Sequence, residues 1–480
     1  MGGTDEQYQK VTISAIPDEV ILEIFDFYVD QALDEDAWHM LVHVCRRWRC
    51  VVFASPQRLN LRLICTHHRL FKALDVWPSL PIVVSCSGRG ALLFGHDVDS
   101  IIATLKHRDR ICKIDIWNVP RVLWETFSAN EMPYPALTSL KLHSYTENVL
   151  FLPNSIWGGS APRLQEVIFK GIPFLPLRKL ISSASGLVNL HLFDLPPSKR
   201  VTPDAMVSGL STLTRLQSLI LVFQYPQFMA DGESRHPPPL TRVGLPTLTR
   251  LHLQGHSTYL EAIVSRIDTP LLQSFTIKFF YDTVVPDMPL LFQFIDRTET
   301  FKALHQADII FGSAGAFVKF LSPNGTAALT LGILSGEGER QLSALVQVWR
   351  SSLPPLPTLN RVDISESQPK RGHWKGNAET LMTQWMGLLL LFSSVGDVGL
   401  SGKLIPHVAT ALVHGLAGPG ERVTEVLPAL QNLYVERPRL SRPAKQAIGQ
   451  FIAMRQLYGH PVAVHYTKEE VRGNRSVEVP

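Results

Sequence analysis

A short pattern, apolar-x-x-apolar-x-apolar, recurs along this chain and restricts the folds open to it. It reads Ile111/Ile114/Ile116, Leu137/Leu140/Leu142, Leu164/Val167/Phe169, Leu187/Leu190/Leu192, Leu216/Leu219/Leu221, Leu248/Leu251/Leu253 and Leu272/Phe275/Ile277. Later copies start at Leu359, Val395 and Leu430, with a weaker one at Ala328 and a doubtful one near residues 304–309. The first seven copies start 23 to 32 residues apart. The pattern ends on alternating positions, so each copy closes as a short strand with one face inward. The residues between copies must return the chain to the start of the next strand, and several of these intervals read as helices. Thr202-Pro203-Asp204 starts one, with Met206, Val207 and Leu210 inward. Thr258 and Glu261 have capping-box spacing ahead of Ile263, Val264 and Ile267. Residues 340–353, 377–394 and 441–458 read as longer helices, and residues 82–85 and 462–466 as a first and a last strand. Strands alternating with helices at this spacing build a parallel-stranded solenoid of α/β class, with helices on the outer face.

Composition narrows the setting. The 480 residues are 45% hydrophobic and 18% charged, which provides for a large core and excludes global disorder. A net charge of +4 is too small to argue for nucleic acid as a partner. The five cysteines (Cys45, Cys50, Cys65, Cys86 and Cys112) are odd in number and contain no C-x-x-C. They read as reduced thiols of a cytoplasmic and/or nuclear protein. The N-terminus is polar and is not expected to be a secretory signal. The longest apolar run, 385–392, is eight residues. A membrane span needs about twenty, so no membrane partner is expected.

The first sixty residues follow a different rule. Residues 17–28 read as a helix: Pro17 suits the first helical position, Asp18 and Glu19 the first turn, and Val20, Ile21, Ile24, Phe25 and Tyr28 form one broad stripe. After a polar break at 34–36, Trp38, Leu41, Cys45, Trp48 and Val52 mark a second helical region, split into two near His43 or Val44. About fifty residues of short helices bury too little to be very stable alone, yet these carry many large apolar groups. Such a module is expected to share its apolar face with a partner, or else to cap the neighbouring domain. The run Ile16-Pro17-Asp18-Glu19-Val20-Ile21-Leu22-Glu23-Ile24-Phe25, the run Val44-Cys45-Arg46-Arg47-Trp48, and Ser55-Pro56 with Leu59 and Leu61 resemble an F-box. That module plugs a substrate receptor into a Skp–cullin–F-box (SCF) ubiquitin ligase. The resemblance implies that Ile16, Pro17, Val20, Ile24, Leu41, Val44 and Trp48 contact the Skp adaptor or hold the helices that do.

The repeated pattern resembles a leucine-rich repeat, and the chain as a whole resembles F-box proteins of the fungal type with degenerate arrays of such repeats. The copies depart from the family. Where Asn or Cys usually follows the third apolar position, this chain has Tyr145, Ile172, Leu195, Gln224, His256 and Phe280. The implied organisation is a tail (1–10), the F-box (11–62), a linking helix (63–80, with Leu70, Phe71, Leu74 and Trp77 on one face), the array (81–466) and a second tail (467–480). A Pro- and Gly-rich stretch, 224–246, reads as a protruding loop. In such arrays the side chains between the apolar strand positions line a concave face. Here they are Ser139, Lys141, Glu166, Ile168, Asn189, His191, Ser218, Ile220, Arg250, His252, Ser274 and Thr276. Target contact is expected there, chiefly through Lys141, Glu166, Ile168, His191, Ile220, Arg250 and His252.

Catalytic signatures are missing. No G-x-S-x-G or H-E-x-x-H occurs, and the Gly399–Lys403 stretch lacks the first glycine and the Ser or Thr of a phosphate loop. No cofactor or metal is implied. The reading is a non-catalytic substrate-recognition subunit of an SCF ubiquitin ligase, reaching a cullin through the Skp adaptor and holding an unknown target protein. Its alternatives are a Skp-binding scaffold without ligase role and a free-standing repeat module whose first helices merely cap the array.

Overall fold

The computed structural model describes residues 13–31, 37–65, 79–86, 95–129, 132–144, 160–173, 178–195, 202–224, 241–280, 288–325, 327–352, 358–367, 374, 377–415, 426–436 and 441–467. Contacts divide the chain into two units, Met1–Leu187 and Val188–Pro480. Among the described residues there are thirteen α-helices, and strand pairing is mostly parallel, so the chain is a mixed α/β protein.

The first unit opens with three helices, α1 (Asp18–Gln31), α2 (Trp38–Val42) and α3 (Arg46–Ala54). Asp18 and Glu19 sit in the first turn of α1, where the free N–H groups favour negative charge. The break between α2 and α3 falls at residues 43–45, as the apolar spacing predicts. Cys45 caps α3, its sulfur accepting the Trp48 N–H at 3.4 Å. Five parallel strands follow in spatial order: β1 (Leu63–Cys65), β2 (Ile82–Cys86), β3 (Ile111–Ile116), β4 (Ser139–His143) and β5 (Glu166–Lys170). Helices α4 (Gly95–Thr104), α5 (Arg121–Ala129) and α6 (Arg178–Ser183) lie between or after them. The linking helix expected over 63–80 begins instead as β1. Leu63 and Cys65 alternate with Ile64 in burial, and all three pair with β2, which makes them a strand. Residues 66–77, where the rest of that helix is expected, lie outside the described residues.

The second unit contains β6 (Asn189–Leu195), α7 (Pro203–Leu210), β7 (Ser218–Phe223), β8 (Val243–Gly244), β9 (Arg250–Gly255), α8 (Ser257–Ser265), β10 (Ile267–Asp268), β11 (Ser274–Phe280) and α9 (Pro289–Arg297). It continues with β12 (Gln306–Gly312), β13 (Gly315–Leu321), β14 (Ala328–Leu334), α10 (Gly338–Ser352), β15 (Arg361–Ser367), α11 (Ala378–Leu389), β16 (Asp397–Leu400), α12 (Ile405–His414), β17 (Asn432–Glu436), α13 (Arg442–Leu457) and β18 (Ala463–Thr467). Side-chain caps explain where several of these helices start. Thr202, Asn377 and Ser441 each accept a backbone N–H of the first turn of α7, α11 and α13.

The main sheet of this unit runs β6-β7-β9-β11-β14-β13-β12-β15-β16-β17-β18. The copies near residues 304–309 and at Ala328 are both strands, but they are not neighbours. Between them lies β13, antiparallel to both, which the repeat pattern does not reveal. The hairpin from β12 to β13 turns at Ser313-Ala314, flanked by Gly312 and Gly315. A Cβ at Gly315 would stand 2.2 Å from the Ile333 carbonyl oxygen, so only glycine lets β13 approach β14 there. The loop expected over 224–246 is corrected at its end, where Val243–Gly244 pairs with β10 in a second small sheet. Residues 225–240 lie outside the described residues.

The apolar positions of the recurring pattern supply the core. Leu140, Leu142, Val167 and Phe169 in the first unit are buried, as are Leu190, Leu192, Leu219, Leu221, Leu251, Leu253, Phe275 and Ile277 in the second. Three of the residues that replace the usual Asn or Cys, Ile172, Leu195 and Phe280, are buried as well. In β6 this needs a local irregularity. Asp194 adopts φ 48, the register shifts between Leu192 and Leu195, and Leu195 then pairs with Phe223.

The capping box expected at Thr258 and Glu261 does not form. His256 is the N-cap of α8, and Glu261 instead reaches the next helix. Its Oε1 accepts the N–H of Leu290 at 2.7 Å and of Leu291 at 3.4 Å. Pro289 starts α9 without an N–H, and Met288 offers no side-chain cap, so Glu261 serves the donors left over. At the other end Arg297 donates to the carbonyls of Val264 and Ile267, closing α8.

Candidate functional site

The helical module is built around Phe25, Trp38, Val42 and Val52, all buried, with Phe25 edge-on to Trp48 at 4.8 Å between ring centres. Two arginines lock it. Arg47 binds Asp18 at 2.6 Å and donates to the carbonyls of Ile13 and Ile16. Arg58 binds Glu23 and Asp26, each at 2.6 Å. These exposed pairs fix α1 against α3 and the turn that follows it, more through their geometry than through their energy.

With that core satisfied, a second apolar set is left outside. Ile13, Val20, Ile24, Phe27, Tyr28, Met40 and Val44 are exposed, Ile24 by 50%, Phe27 by 70% and Val44 by 58%. Val20, Ile24, Phe27 and Tyr28 follow one side of α1, beside the buried stripe of Ile21 and Phe25. Half of the large apolar side chains that stand exposed among the described residues thus lie between residues 13 and 44. Of the seven residues expected to meet an adaptor, Val20, Ile24 and Val44 are on this surface and Pro17 is exposed. Ile16 and Trp48 are half-buried, and the Trp48 indole N–H has no hydrogen-bond partner. Leu41, 6% exposed, faces the core and can act only by holding the helices. Phe27 and Met40 were not among the seven. Their only sequence signal is the surplus of apolar residues over what so short a module can bury.

The second candidate surface is the polar face of the strands, described separately in each unit. In the first, Lys141 on β4 is paired with Ile168 on β5, and its ammonium binds Glu166 at 3.1 Å. Ser139 donates to the other Glu166 oxygen at 2.7 Å. Burial raises Asp115 above the usual carboxylate range, against the opposing pull of Lys141 and Lys113. His143 stacks on Trp117 at 4.0 Å, and burial, with Lys170 and Lys141, pushes its imidazole down to about 4.

In the second unit, strand register sets His191, Ile220, His252, Thr276, Thr330, Lys319 and Asp308 in one row. His191, Ile220 and His252 are brought side by side, while Arg250 lies in the neighbouring row with Ser218 and Ser274. His191 Nε2 lies 3.0 Å from Ser218 Oγ. Burial, with Lys278 and His191, pushes His252 down to about 4. Farther along, Arg361 grips Asp363 with two nitrogens at 2.9 and 3.0 Å and lies over the Tyr434 ring, which stacks on His465.

No group of three or more His, Cys, Asp or Glu is placed to hold a metal among the described residues. All five cysteines are free, and burial pushes Cys65 and Cys86 up to about 12, far from thiolate formation. No described helix is long and apolar enough to cross a membrane. No protein-family model matches the chain, and no curated protein matches it.

Proposed function

We propose that the chain is the substrate-recognition subunit of an SCF-type E3 ubiquitin ligase, with residues 11–62 as an F-box and residues 81–466 as an irregular leucine-rich-repeat solenoid. The observation that carries this reading is the outward apolar set on α1 and around Val44, on a module whose own core is already complete. The F-box resemblance assigns Val20, Ile24 and Val44 to the Skp adaptor, and they lie on that surface. Covering the exposed halves of Val20, Ile24, Phe27 and Tyr28 contributes on the order of 1 kcal/mol each, enough for a specific contact once the cost of association is met. The adaptor links the chain to a cullin. The strand faces hold a target protein, and the residues assigned to it are Lys141, Glu166 and Ile168 in the first unit and His191, Ile220, Arg250 and His252 in the second. The chain performs no covalent step. Tethering raises the effective concentration of a target lysine at the ubiquitin-charged enzyme. Its place of action is the cytoplasm and/or nucleus.

Co-purification tests the reading. Adaptor and cullin should both accompany the wild-type chain, and Val20→Asp with Ile24→Asp should remove both. Adaptor without cullin would make the chain a scaffold with no ligase role. Recovery of neither would sink the proposal.

A further inference from the structure

Five neighbouring strands of the second unit, β7, β9, β11, β14 and β13, contain no Asp or Glu. They carry Arg250, His252, Lys278 and Lys319, and the register sets all four on one face of the sheet. The middle of this strip is unusual. Lys278 is only 7% exposed, yet among the described residues no carboxylate meets it and its one partner is the ring of Phe317, 5.9 Å from the ammonium. Its stem crosses Gly332, where an added Cβ would stand 3.0 Å from Lys278 Cγ and 2.9 Å from Phe317, so the missing side chain makes room for the lysine. On the adjacent strand His252, a diagonal neighbour, has a buried Nε2 with no hydrogen-bond partner. A cation and a polar nitrogen taken from water without a partner are costly to leave so. Two such groups side by side in a strip free of negative charge form half of an interaction.

We infer that this strip is an anion-recognition site, with Lys278 and His252 receiving an anionic oxygen group, a phosphate or a carboxylate, carried by whatever binds the strand face. The ammonium supplies the charge, and His252 Nε2–H, in the tautomer that donates, supplies the direction. Thr276 and Gln254, across from these two in the register, add donors at its edge. Arg250 extends the positive field, with Lys319 at the far edge of the strip beside Asp308 of β12, and favours an acidic segment over a neutral one. The inference does not require the ligase reading, because the site lies in the second unit and needs no adaptor.

The test is a calorimetric titration of the full chain with inorganic phosphate and, separately, with acetate, at ionic strength held constant with chloride. Saturable binding of at least one anion is expected. Lys278→Met should weaken it about ten- to a hundredfold, the range for losing a hydrogen bond to a charged group, and Lys278→Arg should retain most of it. Phosphate binding alone identifies a phosphate ester as the ligand's group, and binding of acetate identifies a carboxylate. No saturable binding of either anion by the wild-type chain overturns the inference whether or not the variants fold. Equal binding by folded Lys278→Met overturns it too.

Discussion

Replacing Glu261 by alanine is expected to loosen a helix to which Glu261 does not belong. Its carboxylate, 8% exposed, accepts the Leu290 N–H at 2.7 Å and the Leu291 N–H at 3.4 Å. The short bond is charge-assisted and contributes about 1.5–3 kcal/mol, while the long one adds little. Leu291 is buried, so water cannot replace the carboxylate at its N–H. The loss for Glu261→Ala is therefore about 2–3 kcal/mol, felt locally at α9. Glu261→Gln keeps an acceptor but loses the charge, and it should lose about half as much. Hydrogen exchange read by mass spectrometry on a peptide covering residues 288–297 suits a local effect in a chain of two units. At 1.4 kcal/mol per factor of ten, protection of that peptide should fall about 30- to 150-fold in the alanine variant and about tenfold in the glutamine variant. Peptides covering β16 to β18 should not change. Unchanged protection of α9 in Glu261→Ala would refute the assignment of Glu261 as its cap.

Two further outcomes follow from burial. His143 and His252 are pushed to about 4, below their ordinary 6.5, so the unfolded chain takes up their protons first as pH falls. The stability they allow is present above pH 6.5 and is lost on the way down to about 4, by at most about 1.4 kcal/mol per pH unit per histidine. Urea midpoints should decline from pH 7 to pH 5, and the decline should flatten in His143→Asn/His252→Asn; an equal slope in that variant would count against the burial argument. In the helical module, Val20→Asp with Ile24→Asp should cost under about 1 kcal/mol because both are surface positions, whereas Phe25→Ala should cost about 3–5 kcal/mol. Thermal melts of the two variants compare them directly, and comparable losses would mean that the α1 stripe belongs to the core.

Much of this architecture is legible in the sequence because its signals are local. The alternation in Leu140/Leu142 or Leu251/Leu253 fixes which strand face turns inward, and Thr202-Pro203-Asp204 carries a whole helix start within three residues. What escapes is set by partners far along the chain. Glu261 has the right spacing to cap its own helix, yet its acceptor serves Leu290, 29 residues on. Strand β13 has no copy of the repeat, since an antiparallel insertion need not obey the spacing of a parallel array. Leu63–Cys65 is too short to show its alternation against a helical expectation. At the candidate sites, sequence separates the two helical stripes of α1 poorly, because Val20 and Ile21 are both apolar and only packing decides which one is covered. Lys278 is invisible for the opposite reason, since nothing in its neighbours predicts a lysine that sinks against Gly332 and Phe317.

The insertion of β13 has a consequence for how the chain is made. From β6 to β11 and from β15 to β18, each new strand of the second unit's main sheet meets the edge left by the one before it. At β11 the edge must wait, because its partner β14 starts at Ala328, while β11 ends at Phe280. At a synthesis rate of about 5–20 residues per second, the intervening stretch takes roughly 2 to 10 seconds to appear. Throughout that interval the growing protein presents an open strand edge, and β12, made first, has no finished strand to join. The three strands have to dock together as a preassembled meander, which makes this the step where growth of the sheet pauses and where an aggregating chain finds its opening.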